Sequence, residues 1–276
     1  MNTQPCWSSP DSLRLHPRRA IRGRQRWRGL GFTLLELLVV IGIMGLVAAV
    51  SLPAIKSWNR SNVTTSASRQ LLDDLSLARL RAISSRSTVY MVFLPPPPWV
   101  PLSPNPGWET RDLPLLTNLL TGPYASYALF GTRQVGDQPG GVNGQYESAW
   151  NTLPEGTFIA TNKFYVNPFG GPPLVVNGVR AFTNRVVCPF PSSTSLTQMR
   201  LPCIAFDYLG RLVSANDEVI PLARGSVYPA RDASRQLLFV APTVSENPPL
   251  NSINQSNHLR VNFLTGRAHV EKWEMR

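Results

Sequence analysis

The chain has 276 residues, 43% of them hydrophobic and 16% charged; this suits an ordinary folded core and excludes both a disordered polyelectrolyte and a many-span membrane protein. Only three cysteines are present, which excludes a miniature scaffold built on disulfides. The formal charge of +11 is unevenly placed: Arg14, Arg18, Arg19, Arg22, Arg24, Arg26 and Arg28 face only Asp11, so the remainder after residue 31 is mildly basic, near +5, and does not by itself call for a nucleic-acid partner.

From Leu34 to Ile55 the chain is apolar except for Glu36 and the small residues Gly42, Gly45 and Ser51. A helix of about twenty such residues crosses a hydrocarbon core of roughly 30 Å. Arginines on one side only would keep residues 1–30 in the cytoplasm. A plain anchor leaves Glu36 unexplained, because a carboxylate within a span costs several kcal/mol unless it is paired. A secretory signal peptide fits less well, since its apolar region is shorter and ends in a small-residue cleavage site.

The octet Gly31-Phe32-Thr33-Leu34-Leu35-Glu36-Leu37-Leu38 resembles the type III signal of type IV pilins and type II secretion pseudopilins. The resemblance implies a cytoplasmic leader, 1–31, that a prepilin peptidase removes after Gly31. It implies N-methylation of Phe32, and pairing of Glu36 with the new amine of a neighbouring subunit during filament assembly. It also implies a fold, the α+β pilin fold: one long N-terminal helix, membrane-spanning over 32–56 and amphipathic over 57–86, packed on an antiparallel β-sheet that forms the exported domain 87–276. The implied setting is a single pass through the bacterial inner membrane, with the C-terminal domain periplasmic. Its partners would be the peptidase, other pilin or pseudopilin subunits, an inner-membrane assembly platform and the lipid bilayer.

Within the helix, Pro53 removes one backbone bond and Gly42 and Gly45 weaken the turns before it. In the family the segment between a glycine and a proline matching Gly45 and Pro53 can unwind. Lys56 and Trp58 suit an interfacial anchor. Val63, Ala67, Leu71, Leu75, Ala78 and Ala82 then recur at helical spacing, which predicts an apolar stripe, with Arg69, Asp73, Arg79 and Arg86 on the wet side.

Thr88–Leu94 reads as the first strand. Residues 95–123, broken by Pro95, Pro98, Pro101, Pro104, Pro106 and Pro114, read as a poorly anchored excursion. Ser126–Phe130, Thr157–Ala160 and Phe164–Val166 are candidate strands, and 136–144 is loop. Ile204–Phe206 and Arg211–Val213 flank Asp207-Tyr208-Leu209-Gly210 as a hairpin, and Leu237–Ala241 is a further strand. Leu259–Phe263 and Ala268–Trp273 flank Leu264-Thr265-Gly266-Arg267 as a second hairpin. Both turns carry Gly-Arg. This phrasing resembles the C-terminal sheet of the GspH/FimT branch of minor pseudopilins.

No catalytic constellation, metal-binding spacing or cofactor motif stands out, so the reading is not an enzyme and names no cofactor. Cys188 and Cys203 form an even pair, expected to close a disulfide in an exported domain. Asp73-Asp74 and Asp217-Glu218 read as solvated acidic faces. The function expected is a minor pseudopilin of a type II secretion-like apparatus. The alternatives are a minor pilin of a type IV pilus or DNA-uptake machine, and a membrane-anchored binding module. In the FimT branch a Gly-Arg-x-Arg motif contacts DNA; here only Gly266-Arg267 matches it, with His269 at the second arginine, so Arg267 is a weak DNA candidate.

Overall fold

In the computed structural model, residues 33–99, 112–133, 137, 144–166, 173–176, 179–254 and 257–272 are described; at 50–62, 176, 254, 257 and 272 the description is of the backbone alone. The whole leader 1–31, Phe32 and most of 136–144 lie outside it. Helix α1 covers Leu34–Ser85. This helical run is divided between two compact units, Met1–Leu52 and Pro53–Arg276.

The second unit is built mainly from β-structure. Its strands in chain order are β1 (Val89–Phe93), β2 (Ser126–Gly131), β3 (Gln145–Tyr146), β4 (Asn151–Thr152), β5 (Thr157–Ile159), β6 (Val175–Val176), β7 (Val179–Arg180), β8 (Asn184–Pro189), β9 (Gln198–Phe206), β10 (Glu218–Tyr228), β11 (Thr243–Glu246), β12 (Asn257–Val261) and β13 (Ala268–Lys272). Helix α2 covers Leu113–Leu120 and a one-turn helix, α3, covers Asn251–Asn254. The first sheet runs β3-β2-β1-β9-β8, with β4 also on β2; the second runs β11-β10-β12-β13, with β5 also on β10; β6 and β7 make a ribbon. The paired strands are antiparallel.

Apolar patterning explains the layers. Ala67, Leu71, Leu75, Ala78 and Ala82 of α1 have no solvent contact and share a core with Met91, Phe93, Leu129 and Phe206 of the first sheet and Ile220, Leu222 and Leu259 of the second. The first sheet is also covered on its other face, where Val92, Phe130, Leu201 and Met199 meet Trp99, Leu116 and Leu119. Burial on both faces is why β1 reads as a continuous apolar run rather than an alternation.

This architecture corrects the sequence reading. The expected fold was a helix, membrane-spanning in its first half, laid on one antiparallel sheet. Instead two multi-stranded antiparallel sheets share one core, and among the described residues no helix is long and apolar enough to cross a membrane. The expected span at 32–56 and the single-pass inner-membrane placement are therefore overturned, and with them the description of the chain as a transmembrane pilin.

Smaller corrections follow from packing. The described parts of 95–123, residues 95–99 and 112–123, are not a loose excursion, because Trp99, Leu116 and Leu119 are buried in the second core cluster. Thr161–Phe164 form a 3-10 turn where a strand from Phe164 was expected. Leu237–Ala241 makes only an isolated bridge, between Leu237 and Arg231.

Candidate functional site

The helix start is the first candidate. Thr33 caps it: its Oγ1 accepts the Glu36 N–H at 3.2 Å and its carbonyl accepts the Leu37 N–H at 3.1 Å. Thr33-x-x-Glu36 is therefore the sequence of a capping box, a signal present in the chain that the sequence reading passed over. A carboxylate in the first turn also suits the positive end of the helix dipole. Around Glu36 the helix exposes large apolar side chains on every side: Leu34, Leu35, Leu37, Leu38, Ile41, Ile43, Met44, Leu46 and Val47 are each more than half exposed. Gly42 and Gly45 are both helical and have no atom near a hypothetical Cβ. The backbone at Pro53 is helical too, and the division between the two units falls at Leu52–Pro53.

The second candidate is the pair of Gly-Arg turns. Asp207 Oδ1 accepts the Leu209 and Arg211 N–H groups, closing the first turn, and Asp207 pairs with Arg211 at 3.0 Å. Asn262 Oδ1 does the same for Leu264 and Thr265 in the second. Gly210 and Gly266 sit at φ +75° and +61°, where a side chain is strained. The two turns abut so closely that a Cβ on Gly266 would run into the Gly210 carbonyl. From the helix, Arg79 Nε donates to the Thr265 carbonyl at 2.8 Å and to the Gly210 carbonyl at 3.3 Å, so one guanidinium ties both turns together. Arg79, placed on the wet side by spacing alone, is thus a structural clamp.

The positive charge of this region is largely neutralised. Arg260 meets Glu271 at 2.8 Å and Asp217 at 3.5 Å, and Arg211 meets Asp207. Arg267 is exposed, and its backbone N–H donates to Thr265 Oγ1. His269 is exposed, whereas His258 is buried on β12; desolvation holds its imidazole below the usual value, with Glu271 pulling the other way.

Two acidic pairs also behave differently from the solvated faces expected. Glu218 is buried and pairs at 2.7 Å with the fully buried Lys163, whose ammonium also donates to the Arg180 carbonyl at 2.9 Å and lies 4.8 Å from the Phe182 ring centroid. Asp74 accepts a 2.5 Å hydrogen bond from the Tyr127 hydroxyl, which joins α1 to β2. Neither partner is close in sequence, so no motif announced them.

Cys188 and Cys203 are free and buried. Register excludes the expected bridge: Cys188 lies opposite Met199 and Cys203 opposite Asn184, so their backbone positions stand four ladder steps apart, about 13 Å. A disulfide needs Cα atoms within about 7 Å. Among the described residues no three His, Cys, Asp or Glu side chains gather as metal donors. In comparisons with known proteins, no family model, no curated protein and no solved structure matches this chain, so none of them assigns it to pilins or to a secretion system.

Proposed function

We propose that this chain is an assembly subunit of a pilin-like filament, a minor pseudopilin of a type II secretion-like apparatus, processed between Gly31 and Phe32. One observation carries the reading: a helix start with a single carboxylate, Glu36, amid apolar side chains exposed on all sides. A helix that is apolar all round has to be covered by other apolar surface. Helices of neighbouring subunits provide that cover, and packing them together lowers the dielectric around Glu36. An ionised carboxylate there requires a cationic partner. Cleavage after Gly31 creates one, the amine of Phe32, and monomethylation keeps it basic. The partners are a prepilin peptidase and the helices of other pseudopilins. The DNA-uptake alternative has less support, because Arg211 and Arg260 already hold carboxylates.

Coexpression with a prepilin peptidase tests the reading. Mass spectrometry of the product should find a chain beginning at N-methyl-phenylalanine 32, and Gly31→Leu should block the cut. An intact leader, beside a control prepilin that the same peptidase does cleave, overturns it.

A further inference from the structure

The first sheet nearly curls back on itself. Its two edge strands, β3 and β8, lie at opposite ends of the strand order, yet both line one open cleft of about 600 Å³. The β2–β3 side contributes Phe130, Thr132 and Gln145, and the β8–β9 hairpin contributes Val186, Val187 and Gln198. Side chains bridge the two edges where a ladder would have done so. The Tyr146 hydroxyl donates to the Pro189 carbonyl at 2.8 Å, the Tyr146 N–H donates to Ser193 Oγ at 2.8 Å, and the Trp150 indole donates to the Pro191 carbonyl at 2.8 Å. Beyond these bridges, no strand among the described residues lies against the outer edge of β8. An unpaired edge presents backbone donors and acceptors at the spacing of another strand.

The side chains of β8 say which strand fits. Alternate residues point to opposite faces. Val186 and Cys188 belong to the apolar cluster on one face. Arg185 and Val187 are exposed on the other, beside Arg200 of β9. Arg185 pairs in register with Pro202, so Arg200 is its diagonal neighbour, about 7–8 Å away. Neither arginine has an ion pair among the described residues. Although Arg185 reaches solvent, partial desolvation and then the charge of Arg200 hold its guanidinium below the ordinary value. Two like charges on one face, Arg185 on the edge strand and Arg200 on the strand next to it, favour an incoming strand with carboxylates on that face and apolar residues on the other.

We propose that this cleft is a strand-insertion site, in which an extended segment of a partner protein, alternating apolar and acidic side chains, pairs with the outer edge of β8. Backbone hydrogen bonds supply the affinity; the alternation and the Arg185–Arg200 pair supply the selectivity. The site does not depend on processing of the N-terminus and can fail or succeed independently of it.

Hydrogen exchange on the purified full chain tests this at low salt. The probes are blocked peptides of about eight residues: one alternating valine and glutamate, one alternating valine and lysine, and two valine–glutamate peptides N-methylated at every second amide, one in each register. The valine–glutamate peptide should slow exchange of the amides in 184–189 by roughly tenfold. The valine–lysine peptide should not, and one of the N-methylated pair should lose the effect. The variant Arg185→Glu/Arg200→Glu should reverse the preference between the two charges. Unchanged exchange over 184–189 with the valine–glutamate peptide overturns the proposal, as does protection that survives N-methylation in both registers.

Discussion

Lys163 is a charged side chain wholly removed from solvent, and its partner Glu218 is nearly so. Desolvation holds its ammonium below the ordinary lysine value, and Glu218 partly restores it. Such a pair is costly to break and of little net value when intact. Lys163→Met should therefore destabilise the protein by about 3–5 kcal/mol, by stranding a buried carboxylate. Lys163→Met/Glu218→Leu should recover most of that loss in denaturant unfolding; a double variant no more stable than the single one would show that the charges do more than satisfy each other. The cysteines give a pH dependence. Burial pushes the Cys188 thiol up to about 11 and the Cys203 thiol up to about 12, from an ordinary 9.0. Each raised value means that the folded state keeps a proton which the unfolded state gives up. Their contribution is fully present below pH 9 and lost as pH rises through 11 to 12. Cys188→Ala/Cys203→Ala should flatten that alkaline loss, and both wild-type thiols should resist alkylation at pH 8 until the protein is unfolded.

At the scale of elements, the two Gly-Arg turns and the helix behave as one unit. Arg79→Met removes both hydrogen bonds from a charged donor and should cost about 2 kcal/mol. It should also speed amide exchange at Gly210 and Gly266, since those turns lose their common anchor. Gly266→Ala should cost more, because it adds backbone strain to a collision with the Gly210 carbonyl. Helix α2 makes a different point. Leu119→Ala should cost about 2–4 kcal/mol, as a leucine in a closed core does; no measurable loss would restore the view of 95–123 as an excursion. Some of these elements were legible in the sequence. The stripe Ala67, Leu71, Leu75, Ala78 and Ala82 gave its buried face by spacing, and β1, β2, β12 and β13 lie where β-branched and aromatic residues cluster. Strand β10 was not legible, because Pro221 and Gly225 sit inside it. Proline within a run argues against a central strand. Here the ladder tolerates it: Pro221 lies opposite His258 and its carbonyl accepts the Ala160 N–H. The clamp by Arg79 and the Lys163–Glu218 pair were hidden for another reason, since each joins residues more than fifty positions apart and leaves no local pattern.

At the scale of the whole molecule, one unit holds a two-sheet core and the other a helical segment with exposed apolar side chains. Composition foretold one core and one apolar segment. It did not foretell the second sheet, because single strands do not specify which sheet they join. The account's central claim is that this segment is an assembly surface and that Glu36 is its electrostatic key. The competing reading is local: Glu36 merely completes a capping box with Thr33. Glu36→Gln separates them, since glutamine serves equally at that capping position but carries no charge to pair with an amine. The decisive measurement is crosslinking through the helix, in cells coexpressing the chain with a prepilin peptidase and partner pseudopilins, comparing wild type with Glu36→Gln. The account predicts cleavage after Gly31 in both and crosslinked partners in the wild type alone. Equal crosslinking of the two would contradict it, and would leave Glu36 as the cap of a helix.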